Sequence, residues 1–420
     1  MTIEINEDFR YAFELISKTN DCVFVTGNAG TGKTTFLRYY IKKAAKKTVV
    51  LAPTGVAALN AGGETVHSFF NFKPDITLSK VKKKKLSGNS IYKKIDTIII
   101  DEASMLRCDL LDCIDKFLRL NRDAHREPFG GVQMVFIGDL CQLPPVVKKE
   151  ESHIFGSVYK NPYFISAYSL GECMLHTVEL KKIYRQKERG FIDLLNAVRN
   201  GLAGESELAQ LNEKAGKTVL DKPLEVYLTT TNRKASLVNS EYLSKIRGEN
   251  EVFVAETENL GQNPGILPAE HDLVIKKGAQ VMRVNNDSKN RWVNGSIGIV
   301  KDIRKDMYRD KSVIYVRFLN GRTEQVEPYK WELFKYKWNE ELKQIETESA
   351  GFFKQYPLKL SWAVTIHKSQ GKTFDNIIID MENGSFSPGQ LYVALSRCTS
   401  FDGIRLSRPL TGRDILAAKI

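Results

Sequence analysis

The stretch TGNAGTGKTT, residues 26–35, lies between the apolar run CVFV and the helix-forming FLRYYIKKAA, and no other segment constrains the fold as strongly. Gly27, Gly32, Lys33 and Thr34 fit the pattern G-x-x-x-x-G-K-[ST]. A buried strand, a glycine loop and a helix in that order turn backbone N–H groups and the positive end of the helix dipole toward one point, which suits phosphate oxygens. Gly27, Asn28, Ala29, Gly30, Thr31, Gly32, Lys33, Thr34 and Thr35 are therefore expected to cradle a nucleoside triphosphate. Lys33 would reach the β- and γ-phosphates, and the Thr34 hydroxyl would bind Mg²⁺.

Such a loop needs acids at the end of a second strand. DTIIIDEAS supplies them, with an apolar run from Ile98 to Ile100 leading into Asp101 and Glu102, at the carboxyl end where open α/β sheets place their chemistry. Asp101 would hold the Mg²⁺, and Glu102 would activate the attacking water. A third apolar strand, VQMVFIGD, ends in GDLCQLPPV. There Gln142 is placed to sense the γ-phosphate or orient water, and Pro144-Pro145 stiffen the exit path. A further strand opens VVLAPTGVAALNAGGETVHSFF. Its Thr54, Gly55, His67 and Ser68 are short donors suited to phosphate oxygens, while Phe69, Phe70 and Phe72 are either stacking faces or core residues.

At 420 residues the chain exceeds one ordinary core, so two or more domains are expected. A hydrophobic content of 42% and a charged content of 27% exclude global disorder, and no apolar run is long enough for a membrane span. The acidic, mixed start MTIEINEDFRYAFELI reads as structure rather than as a signal peptide. Six cysteines without a CxxC pair argue against a zinc ribbon or a disulfide framework and for reduced thiols. A net charge of +12 favours a polyanionic partner.

The succession TGNAGTGKTT, APTGVAALNAGGETVHSFF, IIIDEAS, GDLCQLPPV, LKKIYRQ, WAVTIHKSQGKTF and LYVALSRCTS resembles, from about residue 20 to residue 405, the petite-integration-frequency (Pif-type) family of superfamily 1B DNA helicases, which are RecD-like motors. DLLDCIDKFLRLNRDAHREPFGG resembles that family's own signature segment. The resemblance implies an α/β fold: two RecA-like P-loop NTPase domains with parallel sheets, ATP between them and single-stranded DNA running across both. The first domain would take residues 1–182, with a small basic 1B insertion around 65–95. The second would take 183–294 and 357–420, interrupted by an SH3-like β-barrel 2B insertion at 295–356, where Asn320-Gly321 suits a hairpin turn. KPDITLSKVKKKKLSGNSIYKKI, carrying Lys82 to Lys85 with Lys93 and Lys94, is read either as a solvated loop or as a DNA-facing surface.

Carried onto this chain, the resemblance makes Arg185 and Arg397 arginine fingers and brings Gln370 and Gly371 near ATP. It places Thr365, His367, Lys368 and Ser369 near DNA phosphates, and Pro53, Thr54, Gly55, His67, Ser68 and Phe69 on the strand as well. The chain departs from the family where an adenine-reading glutamine is usual. Phe9 stands there, able to stack or pack but not to make amide contacts, so ATP-over-GTP selectivity is open. The implied function is an ATP- and Mg²⁺-dependent DNA helicase moving 5′ to 3′ on single strands and unwinding duplex, in replication, repair, recombination, telomere or quadruplex processing. The implied partners are single-stranded DNA and single–double-strand junctions, with no membrane. A monomer in solution is expected, cytoplasmic and nucleoid-associated, with nucleus or mitochondrion left open. The alternatives are a nucleic-acid-stimulated ATPase that remodels or translocates without unwinding, and an RNA or hybrid helicase.

Overall fold

The computed structural model of the chain describes residues 4–73, 75–84, 90–147, 155–216, 219–222, 224–259, 267–285, 291–292, 294–306, 311–319, 321–339, 341 and 344–418. Lys85 of the lysine run and Asn320 of the hairpin turn lie outside the described residues. The backbone divides into two units. One comprises Met1–Arg185, Leu333–Ala350 and Ala418–Ile420; the other comprises Gln186–Glu332 and Gly351–Ala417.

In the first unit the apolar runs form β1 (Cys22–Thr26), β2 (Thr48–Ala52), β3 (Glu64–Thr65), β4 (Thr97–Asp101), β5 (Gln133–Ile137) and β6 (Leu175–Glu179). Their order is β3-β2-β4-β5-β1-β6 and every pairing is parallel. Parallel neighbours need long connections, and helices supply them here. Helix α1 (Glu7–Lys18) precedes β1; α2 (Lys33–Lys43), α3 (Gly55–Ala61), α4 (Val66–Phe70) and α5 (Cys108–Asn121) follow β1, β2, β3 and β4.

Side chains alternate across a strand, so a strand covered on both faces must be apolar at nearly every position. Val23, Val25, Ile99, Val135 and Ile137 accordingly pack with Phe9, Ile16, Phe36 and Leu37 of α1 and α2. Phe24, Ile98, Ile100, Met134 and Phe136 turn to the other face and pack with Leu111, Ile114 and Phe117 of α5. This parallel, doubly covered sheet fits the RecA-like core that the family resemblance implies.

Helix α5 carries the signature segment and is tied down through one buried carboxylate. Asp112, 5% exposed, accepts from the Tyr159 hydroxyl at 2.8 Å, from the Tyr168 N–H at 3.3 Å, and from the Ser169 N–H and hydroxyl at 2.9 and 2.8 Å. Past the end of α5, Asp123 binds both Lys83 and Lys93, the latter at 3.1 Å, and the two ammonium groups pull its carboxyl down to about 2. Lys84 lies over the Phe117 ring at 5.2 Å and the Tyr92 ring at 5.8 Å and donates to the Phe70 carbonyl at 3.2 Å. Lys83 and Lys84, read from sequence as solvated or DNA-facing, are thus engaged with the first unit itself.

The second unit contains β7 (Val226–Thr229), β8 (Gln280–Arg283), β9 (Ile297–Asp306), β10 (Lys311–Phe318), β11 (Thr323–Val326), β12 (Leu358–Leu360), β13 (Ala363–Thr365), β14 (Ile377–Asp380) and β15 (Ile404–Leu406). Four of these form a parallel sheet, β13-β7-β14-β15. Five form an antiparallel sheet, β11-β10-β9-β8-β12, whose Val281, Val300, Ile314, Val316 and Val326 bury against Trp292 and Phe318. Gly321, donating to the Phe318 carbonyl at 2.9 Å, turns β10 toward β11. The helices of this unit include α6 (Arg189–Arg199), α7 (Asn232–Lys245), α8 (Ile366–Ser369) and α9 (Gln390–Leu395).

Replacing Asp112 with Ala leaves its buried donors without an acceptor. Asp112→Ala should therefore cost about 3 kcal/mol of stability. Thermal melting followed by circular dichroism checks this, and an unchanged midpoint removes Asp112 from the groups that hold the signature segment.

Candidate functional site

The loop between β1 and α2 takes its shape from two glycines. A Cβ on Gly27, whose φ is +147°, would lie 2.5 Å from the Leu180 carbonyl oxygen, so no larger residue fits. Gly32 caps α2 in the left-handed region, at φ +89°. Helix α2 has no acid in its first turn, which leaves the positive end of its dipole uncompensated. Lys33 Nζ donates to the Gly27 and Asn28 carbonyls at 2.7 and 3.0 Å, so its ammonium lies against the inside of the loop. The buried Thr31 hydroxyl donates to Asn28 O at 2.9 Å and braces the same turn. Ala29 is buried, Gly30 is half-buried, and Thr34 and Thr35 are exposed on the first turn of α2.

Because β1, β4 and β5 are adjacent and parallel, the loops that follow them leave from one edge of the sheet. Asp101 ends β4 and is 8% exposed. Burial first, and then the charge of Glu102, push its carboxyl up to about 7, while Lys33 and Arg38 act in the opposite direction. Glu102 has left-handed backbone, φ 52° and ψ 42°, a costly conformation for a residue with a Cβ that turns it away from the strand. After β5, Asp139 accepts from Cys141 N–H at 3.1 Å and from Gln142 Nε2 at 3.3 Å, which fixes the buried Gln142 amide. A Cβ on Gly138 would meet Ala103 N at 3.0 Å, so the β4 and β5 loops touch. The Thr34 hydroxyl and Asp101 carboxylate are oxygen donors of the kind Mg²⁺ takes. Burial, the larger cause of the upward push on Asp101, is a cost that a divalent cation beside the carboxylate would offset, and in that sense these oxygen donors fit the ion.

In the loop after β2, Pro53 and Thr54 are half-buried, Gly55 is buried, and the Thr54 hydroxyl caps α3 by accepting from Ala57 N–H at 3.3 Å. Ser68 is exposed and donates to Glu64 at 3.1 Å. His67 is half-buried, and burial, then Arg107, hold its ring below the usual histidine range. Phe69 is 6% exposed, with its ring 4.9 Å from Phe70 and 5.4 Å from Tyr92. Of the two roles open to these aromatics in the sequence, the core is the one observed. The single turn of α4 points Val66, Phe69 and Phe70 inward together. Phe9 also packs, being 1% exposed and edge-on to Phe36 at 5.4 Å.

In the second unit the Thr365 hydroxyl caps α8, accepting from Lys368 N–H at 3.3 Å, and the fully buried Ser369 hydroxyl donates to Ile366 O at 2.7 Å. Lys368 is exposed, Gln370 is half-buried and Gly371 is exposed. His367 stacks on Phe386 at 6.1 Å, and burial lowers its pKa. Arg397 is 1% exposed, and its guanidinium donates to Val393 O at 2.8 Å, to the Ser396 hydroxyl at 2.7 Å and to Lys372 O at 3.4 Å. Arg185 is half-buried at the end of the first unit's main segment.

Sequence reading passed over the next residue, Gln186. It is 3% exposed, and its amide donates to Ser396 O at 3.2 Å and Cys398 O at 2.8 Å, bracketing Arg397. The signal was an amide beside an expected arginine in LKKIYRQ, with partners more than two hundred residues away.

Residues 4–208 match the family model described as PIF1-like helicase. The chain is 32% identical over 397 residues to the ATP-dependent DNA helicase PIF1 of Xenopus laevis, covering 91% of this chain and 58% of that protein. It therefore spans less than two thirds of that relative's length. With the ATP-dependent DNA helicase Pif1 of Bdellovibrio bacteriovorus the identity is 32% over 418 residues, 96% of this chain and 88% of that one. Among solved structures, Pif1 from a Bacteroides species in complex with ADP-AlF4 has a TM-score of 0.89 at 39% identity, over 99% of this chain and 95% of that one. Bacteroides Pif1 helicase in complex with ADP-AlF3 and single-stranded DNA has a TM-score of 0.70 at 39% identity, over 100% and 95%. With a phosphate loop, an acid pair and a tethered glutamine on one sheet edge, and a relative matched along most of its length, the chain belongs to the PIF1-like helicase family.

Proposed function

We propose that this chain is an ATP-dependent DNA helicase that moves 5′ to 3′ along single-stranded DNA and opens the duplex ahead of it. The observation that carries the reading is the convergence of Lys33, Asp101, Glu102 and Gln142 on one edge of a parallel sheet. The names of the relatives support ATP and DNA as substrates, and a solved relative holding a nucleotide analogue and single-stranded DNA supports both together. Direction rests on the resemblance of the whole motif succession. In this reading residues 1–182 form the first motor domain, with an insertion around 65–95, and 183–294 with 357–420 form the second, with an insertion at 295–356.

Lys33 would neutralise charge on the β- and γ-phosphates, and Glu102 would take the proton of the attacking water that Gln142 orients. Thr34 and Asp101 would hold Mg²⁺, which when bound shields phosphate charge. Arg185 and Arg397 would offer planar guanidinium groups to the transferring phosphoryl. For Arg397 this requires exchanging carbonyl partners for phosphate oxygens. Pro53, Thr54, Gly55, His67, Ser68, Thr365, His367 and Lys368 are the proposed grip on DNA, through its backbone more than its bases, whereas Phe69 and Ser369, also expected there, are buried.

Lys33→Ala should nearly abolish hydrolysis, whereas Glu102→Gln should keep nucleotide binding and lose turnover by about 10² or more. Equilibrium nucleotide binding and steady-state hydrolysis, measured separately, give both outcomes, and ordinary turnover in Lys33→Ala would sink the phosphate-loop assignment. Arg185 is the cleaner of the two arginines to remove, since Arg397 is buried and its loss also disturbs packing. Arg185→Ala is expected to cut DNA-stimulated turnover by about 10² with the melting temperature unchanged; full turnover would exclude it from the site. Polarity is read from two labelled duplexes that differ only in overhang. The 5′ overhang should be unwound and the 3′ overhang should not. Preference for the 3′ overhang overturns the direction, and DNA-stimulated hydrolysis without unwinding of either establishes a translocating remodeller instead.

A further inference from the structure

In the second unit the parallel strands β13, β7 and β14 end level with one another: Thr365 pairs with Thr229, and Thr229 with Asp380. The segments that follow β13 and β14 therefore leave from one sheet edge, on either side of β7. The segment after β14 is fixed there at three points. Glu382 Oε1 accepts from the Thr229, Thr230 and Thr231 hydroxyls at 2.8, 2.6 and 2.9 Å. The Ser385 hydroxyl donates to Asp414 O at 2.6 Å, and the fully buried Gln390 accepts from Phe386 N–H at 3.2 Å. Phe386 nevertheless stands 62% exposed, its ring parallel to that of His367 within 11° at a centroid separation of 6.1 Å. Those values describe an offset stack. A scattered exposed aromatic is ordinary, but here a tied segment holds an apolar ring in water beside the turn that carries Lys368.

We propose that Phe386 is a stacking platform for one unpaired nucleobase of the strand held by His367 and Lys368, which rests on the DNA-binding role proposed above. A nucleobase brings a flat π face to the open side of the ring, and the offset pair with His367 presents a wider surface than one ring would. Lys368 is exposed and follows His367 on the same one-turn helix, so its ammonium is placed to take a phosphate flanking the stacked base. A single strand has both parts, planar apolar bases and a charged backbone, and this surface offers a partner to each. A base inside a duplex is covered on both faces by its neighbours, so the platform favours unpaired strands. Every base has a π face. The contact therefore adds grip without reading sequence, as a motor that passes over any sequence requires.

Binding of the full chain to the shortest labelled single strand that gives full affinity is measured by fluorescence anisotropy, beside a series in which one abasic site steps along that strand. The wild type should lose about tenfold in affinity when the abasic site occupies the platform. Phe386→Ala should lose about tenfold on the intact strand and nothing further at that abasic position. Phe386→Trp should bind as the wild type does, whereas Phe386→Leu, apolar but without a π face, should bind as Phe386→Ala does. The slope of log affinity against log salt should be the same in every variant, because no phosphate contact changes. Full affinity in Phe386→Ala or Phe386→Leu overturns the platform and leaves the DNA-binding role standing, as do alanine and abasic penalties that multiply. A wild type that binds no single strand overturns that role and the platform with it. The abasic series on the wild type decides the question even where a variant fails to fold, since affinity indifferent to every abasic position overturns the inference.

Discussion

The candidate site depends on the burial of parallel strands on both faces. Val23 and Phe24 are neighbours in sequence, yet each fills a different core, one against α1 and α2 and one against α5. A slip of one residue in β1 would exchange the two sets, so the register is held by both faces at once. This stiffness lets the chain keep Glu102 in left-handed backbone and place Gly27 against the Leu180 carbonyl with no room for a side chain. The phosphate loop, the acid pair and the Gln142 turn are irregular segments, but each leaves a strand that cannot shift.

That dependence explains what the sequence made legible. CVFV followed by a glycine loop and a helix, and IIID followed by an acid, are local patterns whose physical meaning needs no distant residue, and both stand where expected. The class of the fold came from the resemblance of the whole motif succession to a known family, not from any one run. Phe69 and Phe70 were ambiguous because an aromatic in a one-turn helix has the same sequence signature whether it faces bases or a core. Only the position of Tyr92 and Phe117 decides. Gln186 and Asp112 were illegible for a different reason. Their partners, backbone groups for Gln186 and both backbone and hydroxyl groups for Asp112, are brought close by folding from far along the chain, and no composition or spacing records them.

Arg397 shows how burial and chemistry are reconciled. A guanidinium sealed from water is costly unless its donors are satisfied, and three of its hydrogen bonds run to Val393, Ser396 and Lys372. Gln186 secures the backbone on either side of it. In the proposed role, recruitment of this arginine would exchange one set of acceptors for another rather than freeze a loose side chain.

The attachment of the lysine-rich segment has a consequence for thermodynamic measurement. Lys83 and Lys93 meet Asp123 at the protein surface, where mobile ions screen such attractions. Added salt therefore loosens the contact of Lys83 and Lys93 with Asp123, just past the end of α5, even when no nucleic acid is present. Should DNA binding of the proposed kind also open this contact, ions taken up there would enter the dependence of affinity on ionic strength with a sign opposite to those released from phosphates. The slope of such a plot would then be a net ion stoichiometry of two linked equilibria rather than a count of phosphate contacts.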